Sequence, residues 1–424
     1  MKLLPYTKFL ATYEKPMKMT IRIIVCCLLF SLNVEAQEQE TIDSVSTQKS
    51  KPSLKERLHQ VQQYLDDKAR KRVDPQYIEV PEKPWRVVLR YKESVFVVDY
   101  SNSLGDPSAG EGAEWKMCFE PPMSPSIGVW AGYRGTGLAV AKSLGKKKGT
   151  TLSFSTTGAK YGANLRLRSF DVTEGTFTST IYDNGKVIPM NGDARLLAPV
   201  NITSLYLNGY YVFNGRRYSQ AAAYNQSVIQ RRSAGSFLLG ATLYLAGMDL
   251  SDDKNSSLIL LSSGVGRIII HQGNIGIGYG YNWVPFRGFV VNAMAMPTVS
   301  FYNRVKVNKY DCNYELVEAT GPTDDYGTWN PDTHTWANGK THRPIPDEDS
   351  DTSWYDGVDS WEVGSETTYS LLRFNLDLRL GIAYNWSDYF IGAQAQFNNF
   401  FFKKDQCKIN IYDAYARISL GVRL

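Results

Sequence analysis

The sequence predicts an all-β fold, a transmembrane antiparallel up-and-down β-barrel of about 12 strands (about 10 to 14), with a short N-terminal amphipathic helix. Three observations support this prediction. Long segments alternate apolar and polar residues with the period of two that belongs to β-strands. Aromatic residues collect at the ends of these segments, where a membrane-interface girdle would need them. The sequence contains no run of 18 apolar residues, so it predicts no membrane-spanning helix.

The C-terminal stretch 368–424 shows the alternation most clearly. Its first strand places one apolar face against one polar face: Phe374, Leu376, Leu378, Leu380, Ile382 and Tyr384 against Arg373, Asn375, Asp377 and Arg379. A strand of this length can cross a bilayer when tilted, whereas strands of soluble sheets are usually shorter. A soluble all-β domain remains the alternative, because its strands alternate as well.

The charge balance is nearly neutral once the N-terminus is set aside. The chain has 47 basic and 42 acidic residues, a formal net charge of +5. The first 36 residues hold five of the bases and two of the acids, which leaves 42 bases against 40 acids. This balance excludes the basic surface expected of a nucleic-acid-binding protein, so no nucleic-acid partner is predicted.

The N-terminus predicts export. An apolar core at 21–32, preceded by Lys18 and Arg22 and followed by Ala36, has the layout of a secretory signal peptide over 1–36. Together with the barrel pattern, this signal places the protein in the outer membrane of a Gram-negative bacterium. The barrel would then contact outer-membrane lipid and depend on the barrel-assembly machinery for insertion.

A periplasmic leader over 37–84 is predicted to follow the signal peptide. Within it, the segment 53–72 carries apolar residues at helical spacing, which predicts a short amphipathic helix: Leu54, Leu58, Val61 and Leu65. Three prolines then lead into the barrel, which is predicted over 85–424.

Twelve strands are predicted from the alternation: 86–99, 126–141, 150–157, 160–170, 202–214, 216–230, 236–246, 274–283, 287–305, 368–384, 389–402 and 408–424. With both termini periplasmic, one set of connections falls outside: 101–124, 247–273, 306–367 and 403–407. The other set falls inside: 142–149, 231–235, 284–287 and 385–388. The long connection 171–201 breaks the pattern, because periplasmic turns are normally short.

Several short motifs carry a resemblance to a known family: Tyr133 to Leu138, Lys160 to Leu165, Ala221 to Gln230, Ser233 to Gly240 and Gly278 to Trp283. With them, the stretch from about residue 80 to residue 424 resembles a family of domain-of-unknown-function proteins of Bacteroidota-type bacteria, which are outer-membrane β-barrels. The resemblance implies location and architecture. It supplies neither catalytic residues nor a ligand.

Charged residues on the polar faces of several strands are predicted to point into the barrel: Arg166, Arg168, Arg373, Asp377, Arg379, Asp413, Arg417 and Arg423. Two interpretations remain open. The charges line a water-filled channel, or they pair with one another across the lumen. Pairing is favoured, because unpaired charge in a narrow lumen is costly.

The connection 322–366 is the most distinctive surface feature, because it combines acidic residues with tryptophans. It is either a solvated loop that caps the barrel or a binding surface for a sugar, a cation or an envelope protein: Trp329, Trp336, Asp347, Asp349, Asp351, Trp354 and Trp361. The aspartate spacing does not complete a calcium-binding loop, so neither a metal nor another cofactor is predicted.

Three cysteines, Cys118, Cys312 and Cys407, lie beyond the predicted signal peptide. All three are expected at the outer ends of strands or in outer loops, where the environment permits a disulfide. A Cys312–Cys407 bridge is the pair predicted, because it would tie the acidic loop to the barrel rim and close a large ring. Three reduced thiols are the alternative.

The sequence leaves three classes of function open. A channel or small-solute transport role is predicted first, and a structural or interaction protein with a filled lumen is the alternative. A lipid-modifying enzyme is a distant third, because His271 and Asn274 have the spacing of an outer-membrane phospholipase but no serine follows them closely. No catalytic residue is therefore assigned.

Overall fold

The computed structural model describes residues 54–106, 109–119, 125–144, 149–262, 264–319, 327–340, 352–370, 372–404 and 407–424. The predicted signal peptide and the aspartates Asp347, Asp349 and Asp351 lie outside the described residues. None of the helices in this described part is long and apolar enough to cross a bilayer.

The helical elements are short except for the first. They are α1 (Leu54–Lys71), α2 (Gln220–Tyr224), a 3-10 helix (Asp253–Asn255) and α3 (Ser256–Leu261). Helix α1 covers the segment in which the leucine spacing predicts a helix. From Gln62 onward, the chain forms one compact unit that includes the barrel.

Twelve strands close into an antiparallel barrel, which confirms the predicted fold. In ring order they are β2 (Trp85–Asp106), β4 (Ser126–Tyr133), β5 (Thr136–Ser143), β6 (Gly149–Thr157), β7 (Tyr161–Asp183), β8 (Lys186–Val212), β10 (Ala234–Asp249), β11 (Val265–Trp283), β12 (Phe289–Ala319), β16 (Phe374–Trp386), β17 (Tyr389–Lys404) and β18 (Cys407–Arg423). The last strand closes the ring by pairing with the first, from Lys408 opposite Ser101 to Arg423 opposite Arg86.

The barrel has an apolar outer face and a polar or tightly packed inner face. Strand β16 shows this directly, since its outward residues from Phe374 to Tyr384 are exposed while Asn375, Asp377 and Arg379 are buried. At about 3.3 Å per residue and a tilt of about 40°, that outward stretch rises about 25 Å, the height of the apolar band of a transmembrane barrel.

Exposed aromatic rings mark the end of the barrel at which the chain enters and leaves, here called the terminal end. Trp85 lies there with Tyr133 at a ring distance of 5.1 Å, and Trp386 stacks on Tyr389 at 6.3 Å. Such rings are typical of the membrane–water interface, because they combine an apolar body with a polar edge. The opposite end is called the loop end.

Two of the twelve predicted strands were wrong, and the two errors cancel in the count. The segment 126–141 is not one strand but the hairpin β4–β5, whose turn lies at Arg134 and Gly135, with Tyr133 opposite Thr136. Arg134 has a φ of 51°, which suits a tight hairpin turn. The shift of the apolar face at this point marks the turn rather than a bulge.

The segment 216–230 is not a membrane-spanning strand. Residues 213–233 connect β8 to β10, contain helix α2 and the short strand β9 (Ile229–Gln230), and fold into the barrel. We call this segment the plug. Strand β9 pairs with β1 (Ile78–Glu79), with Ile78 opposite Gln230.

These two corrections also resolve the anomalous connection 171–201. Because β4 and β5 were counted as one strand, the strands that follow them were predicted to run in the wrong direction. The false strand at 216–230 restored the correct direction for all later strands. The hairpin between β7 and β8, with its turn at Asn184 and Gly185, therefore lies at the loop end. Ser143, which ends β5, and Gly149, which begins β6, lie at the loop end too, so the predicted inside position of the connection between them was wrong.

Much of the sequence predicted as outer loop is strand. Strand β3 (Glu111–Phe119) pairs with both β2 and β7, and β15 (Thr352–Tyr369) pairs with the outer half of β12. The parts 306–319 and 352–367 of the predicted loop thus continue the barrel wall. A small hairpin of β13 (Trp329–Asn330) and β14 (Thr335–Trp336) completes the described elements.

An apolar core fills the barrel toward the loop end. Tyr244 stacks on Phe400 at 4.2 Å, and Tyr206 meets the same ring at 6.3 Å. The cluster continues into the extended strands through Trp115 and Phe177, both nearly fully buried. The strand extensions are consequently packed on the same core as the lumen.

Candidate functional site

The plug closes the terminal end of the lumen. Its helix α2 is buried, with Ala222 and Ala223 fully inaccessible, and Tyr218 before it is fully inaccessible as well. The sequence motif Ala221 to Gln226, which carries part of the family resemblance, forms this helix and its C-terminal end.

Arginines from the barrel wall hold the plug by its backbone carbonyl groups. Arg86 donates to the carbonyl of Asn225, Arg417 donates to that of Tyr224 at 3.2 Å, and Arg423 donates to that of Gln226 at 3.2 Å. Hydrogen bonds from a charged donor contribute about 1.5–3 kcal/mol each. Three such bonds on adjacent plug residues fix the segment firmly in the lumen.

Glycines in the wall leave the space that the plug occupies. A Cβ at Gly381 would lie 3.2 Å from the Cβ of Ala223, and one at Gly392 would lie 3.0 Å from the side-chain nitrogen of Gln226. At these two wall positions, a side chain larger than that of glycine would therefore press against the plug.

Side-chain hydrogen bonds connect the other side of the plug to β11 and β12. Asn282 donates to the carbonyl of Ser219 at 2.8 Å and to Gln230 Oε1 at 2.9 Å. Asn292 donates to the hydroxyl of Tyr218 at 3.0 Å, and Tyr224 donates to Asn292 Oδ1 at 2.6 Å. The plug is thus bonded to wall strands on both sides of the barrel.

Farther from the terminal end, two carboxylates pair with lumen arginines. Asp413 is shared by Arg166 and Arg168, the latter at 3.0 Å, and all three side chains are almost fully buried. Asp377 pairs with Arg379 at 2.6 Å on the same strand. Seven of the eight predicted lumen charges have partners here or on the plug, counting Arg417 and Arg423, and Asn208 also accepts from Arg379 at 2.8 Å.

Within the Asp413 cluster, the Nε of Arg168 has no hydrogen-bond partner among the described residues. The eighth member of the predicted set differs from the other seven. Arg373 does not point into the lumen network. It lies at the loop end just before β16, where it donates to Ser370 Oγ at 2.9 Å and to the carbonyl of Lys403.

A cavity of about 130 Å³ lies between the plug and the paired charges. Small residues of β4, β5 and β6 line it: Ser126, Gly128, Ala139, Ala141, Thr151, Ser153 and Ser155. Five basic side chains from β2, β7, β16 and β18 line it as well: Arg90, Lys92, Arg166, Arg379 and Arg417. Acidic residues are missing from its described lining.

The sequence prediction missed the basic residues of β2. Arg86, Arg90 and Lys92 face the lumen, while the alternate residues Val87 and Leu89 are exposed on the outer face. This alternation is visible in the sequence and could have found them. The plug could not have been found in this way, because alternation identifies only strands that have one face toward lipid.

The tryptophans of the acidic loop pack on one another. Trp329 lies 5.2 Å from Trp336 and 6.0 Å from Trp361, and His334 stacks on Trp361 at 4.4 Å. Asp359 accepts from Trp329 Nε1 at 3.2 Å and contacts His334 Nδ1 at 2.8 Å. These three rings form a local core, whereas the side chain of Trp354 lies outside what the structure describes.

The predicted Cys312–Cys407 bridge is not formed, because Cys312 is a free thiol. It is fully buried on the outer half of β12, and its Sγ contacts the carbonyl oxygen of Ser256 in α3 at 3.4 Å. Burial raises the pKa of this thiol to about 12. The partner surface of Cys312 is therefore α3 rather than the final hairpin.

His271 and Asn274 do not form a catalytic pair. Asn274 is buried in the lumen and donates to Thr242 Oγ1 at 3.1 Å, while His271 belongs to the opposite face of β11. Residues three apart on a strand point to opposite faces, so the phospholipase-like spacing has no geometric counterpart here.

The barrel architecture is shared with solved outer-membrane proteins, although the likeness is weak. The outer membrane protease OmpT of Escherichia coli aligns with a TM-score of 0.34 and 7% identity over 80% of this chain and 97% of its own. The COG4313 outer membrane channel of Pseudomonas putida F1 aligns with a TM-score of 0.28 and 10% identity over 82% and 99%. At such scores these likenesses carry no argument about function.

Among curated proteins, none matches this sequence. A protein-family model does match, over residues 72–423, which includes the plug, the basic cavity and the whole barrel. The chain therefore belongs to the family described as domain of unknown function (DUF4421).

Proposed function

We propose that this protein is a closed outer-membrane barrel that serves as a structural or interaction protein of the outer envelope. The observation that carries the proposal is the plug, which occupies the terminal end of the lumen and is bonded to the wall around it. The apolar core fills the lumen toward the loop end. Solutes therefore meet a barrier at both ends.

The outer location is supported by the exposed apolar face and the aromatic rings at the terminal end. Such a face is stable only against lipid, because a patch of this size would drive association in water. Insertion of a closed barrel of this kind would depend on the barrel-assembly machinery of a Gram-negative envelope.

The extended strands supply a surface on which a partner could dock. The β7–β8 hairpin, β3 and the outer halves of β12 and β15 continue the wall beyond the membrane band. Because Trp115 and Phe177 join these extensions to the lumen core, the surface is rigid. Rigid surfaces bind with a smaller ordering cost than flexible loops. The proposal assigns no catalytic residue.

A channel is the second candidate, and one observation favours it. The basic cavity between the plug and the paired charges would become part of an anion-selective path if the plug left the lumen. Such a path would require breaking the bonds from Arg86, Arg417 and Arg423 together.

Planar-bilayer recording of the purified protein separates the two candidates. The closed barrel predicts no steady conductance steps for the wild type, and steps for a variant in which residues 217–230 are replaced by a short Gly-Ser linker. A matched control replaces the exposed turn at Asn184 and Gly185 with the same linker, which leaves the lumen unchanged. Steady conductance from the wild type would contradict the closed barrel and support the channel.

A further inference from the structure

The lumen-facing charges of the barrel are strongly unbalanced. Within the described strands, two are acidic, Asp377 and Asp413, and the others are basic: Arg86, Arg90, Lys92, Arg166, Arg168, Arg379, Arg417 and Arg423. A barrel that needed charge only to stiffen its lumen would pair its arginines with carboxylates, since unpaired buried charge is costly. The excess of cations calls for a separate explanation.

Three cations of the cavity make no direct ion pair with a carboxylate of the described residues, although Asp413 lies near enough to Lys92 to attract it. Arg90 lies over the Trp130 ring at 5.2 Å and Lys92 over the Tyr415 ring at 4.8 Å, and neither makes an ion pair within the described residues. Arg417 donates to Gln394 Oε1 and to the carbonyl of Tyr224, which are neutral acceptors. All three side chains are only partly buried, although they lie inside the barrel.

The strand register places two of these cations side by side. Lys92 of β2 lies directly opposite Arg417 of β18, and both face the lumen. Like charges directly opposite each other destabilise an antiparallel pair. Arg166 adds a further cation on the other side of the Tyr415 ring, 5.6 Å from its centre. An anion placed among them would remove this repulsion.

The strand beside Arg166 supplies neutral donors. Thr151 and Ser153 of β6 line the cavity, with Ser153 directly opposite Arg166 of β7, and each hydroxyl group can donate one hydrogen bond. Tetrahedral oxyanions accept several hydrogen bonds at once and bind most strongly to charged donors. A cavity of about 130 Å³ has room for such a group, since one water occupies about 30 Å³ of the liquid.

We propose that the cavity between the plug and the β2–β18 wall binds an oxyanion of the phosphate type, held by Arg90, Lys92 and Arg417 and by the hydroxyls of β6. The group is either free in solution or carried on a lipid headgroup. This proposal goes beyond the closed barrel and does not depend on whether the lumen conducts.

Equilibrium dialysis with radiolabelled orthophosphate tests the site, using folded protein in a neutral detergent with chloride as background salt. The wild type is expected to take up phosphate at one saturable site. Arg90→Gln and Lys92→Gln are each expected to lower the affinity at least tenfold. The control Lys142→Gln removes an exposed positive charge from β5 outside the cavity and is expected to bind as the wild type does.

A second measurement identifies the source of the anion. Phosphorus is determined in purified protein before and after extraction with organic solvent, and the loss on extraction reports lipid-borne phosphate. If the bound phosphate resists extraction, the anion is the free ion. If the phosphate is extractable and the extracted amount is lower for Lys92→Gln than for the wild type, the anion is a lipid headgroup. Heat-modified migration on gels verifies that each variant is folded. The proposal is overturned if the wild type holds neither form, or if both folded variants bind as tightly as Lys142→Gln.

The outcome is distinguishable from the fate of the proposed function. Conductance steps from the wild type would contradict the closed barrel and leave the phosphate measurements unaffected. Loss of phosphate binding in the wild type would contradict only the anion site.

Discussion

Replacing Asp413 with asparagine removes the carboxylate that two buried arginines share. The side chain of Asp413 is 2% exposed, and those of Arg166 and Arg168 are each 7% exposed. Breaking a buried ion pair by removing one partner costs about 3–5 kcal/mol, because the remaining charge is left uncompensated. Asparagine keeps one acceptor oxygen, so we expect the lower end of this range, about 3 kcal/mol.

The assay is urea unfolding of the detergent-solubilised barrel, followed by tryptophan fluorescence and by heat-modified migration on gels. The matched control is Asp388→Asn. Asp388 pairs with Lys83 at 2.6 Å, but the two side chains are 40% and 52% exposed. Exposed pairs contribute about 0–1 kcal/mol, so the control should change the free energy of unfolding little. Equal, small effects for both variants would refute the pairing of lumen charges.

Three further predictions follow from other parts of the molecule. Burial raises the pKa of Asp66, but the hydrogen bonds from Tyr133 and Arg134 outweigh it and lower that pKa. The contact therefore stabilises the fold above about pH 4 and is lost as the pH falls further. Hydrogen-exchange protection of residues 62–71, corrected for the intrinsic exchange rate at each pH, should decrease below about pH 4, and unchanged protection would contradict this. Cys312, whose pKa is raised to about 12, should resist iodoacetamide at pH 8 in the folded state and react after unfolding without reduction, whereas a bridged Cys312 would stay unreactive in both states. Gly381→Val should press on Ala223 and produce conductance steps, and a silent bilayer with this folded variant would argue against tight seating of the plug.

The alternation of apolar and polar residues was enough to predict the barrel and, except for Arg373, the lumen faces of its last three strands, whereas the number of strands agreed because two errors cancelled. In a transmembrane barrel, one face of every spanning strand contacts lipid, so the alternating pattern repeats along the chain. The same alternation is present in β2 and places Arg86, Arg90 and Lys92 on its lumen face.

The plug is the feature that alternation could not predict. A segment buried inside the lumen meets the polar inner wall on all sides, so its residues follow neither the strand period nor a single helical face. Helix α2 is five residues long, too short for a helical pattern to emerge from the sequence. The β4–β5 turn was missed for a different reason, since a two-residue hairpin shifts the apolar face as a bulge does.

The loop tryptophans illustrate a third limit. Acidic residues around Trp329, Trp336 and Trp361 made a ligand surface plausible from composition, yet the rings pack on His334 and one another. Whether an aromatic residue contacts a ligand or a neighbour depends on the fold of its loop, which local sequence does not specify.

The position of the plug can be tested directly by cross-linking it to the wall. A Cβ at Gly381 would lie 3.2 Å from the Cβ of Ala223, close to the separation of about 3.5–4.5 Å found in disulfides. In a chain whose native cysteines are replaced by serine, Ala223→Cys with Gly381→Cys should form an intramolecular bridge in isolated membranes under mild oxidation, as read by intact mass and thiol labelling. The pair Ala223→Cys with Ala241→Cys, whose second site faces outward on β10, should not. Free thiols in the first pair after oxidation would place the plug outside the lumen and contradict the closed barrel.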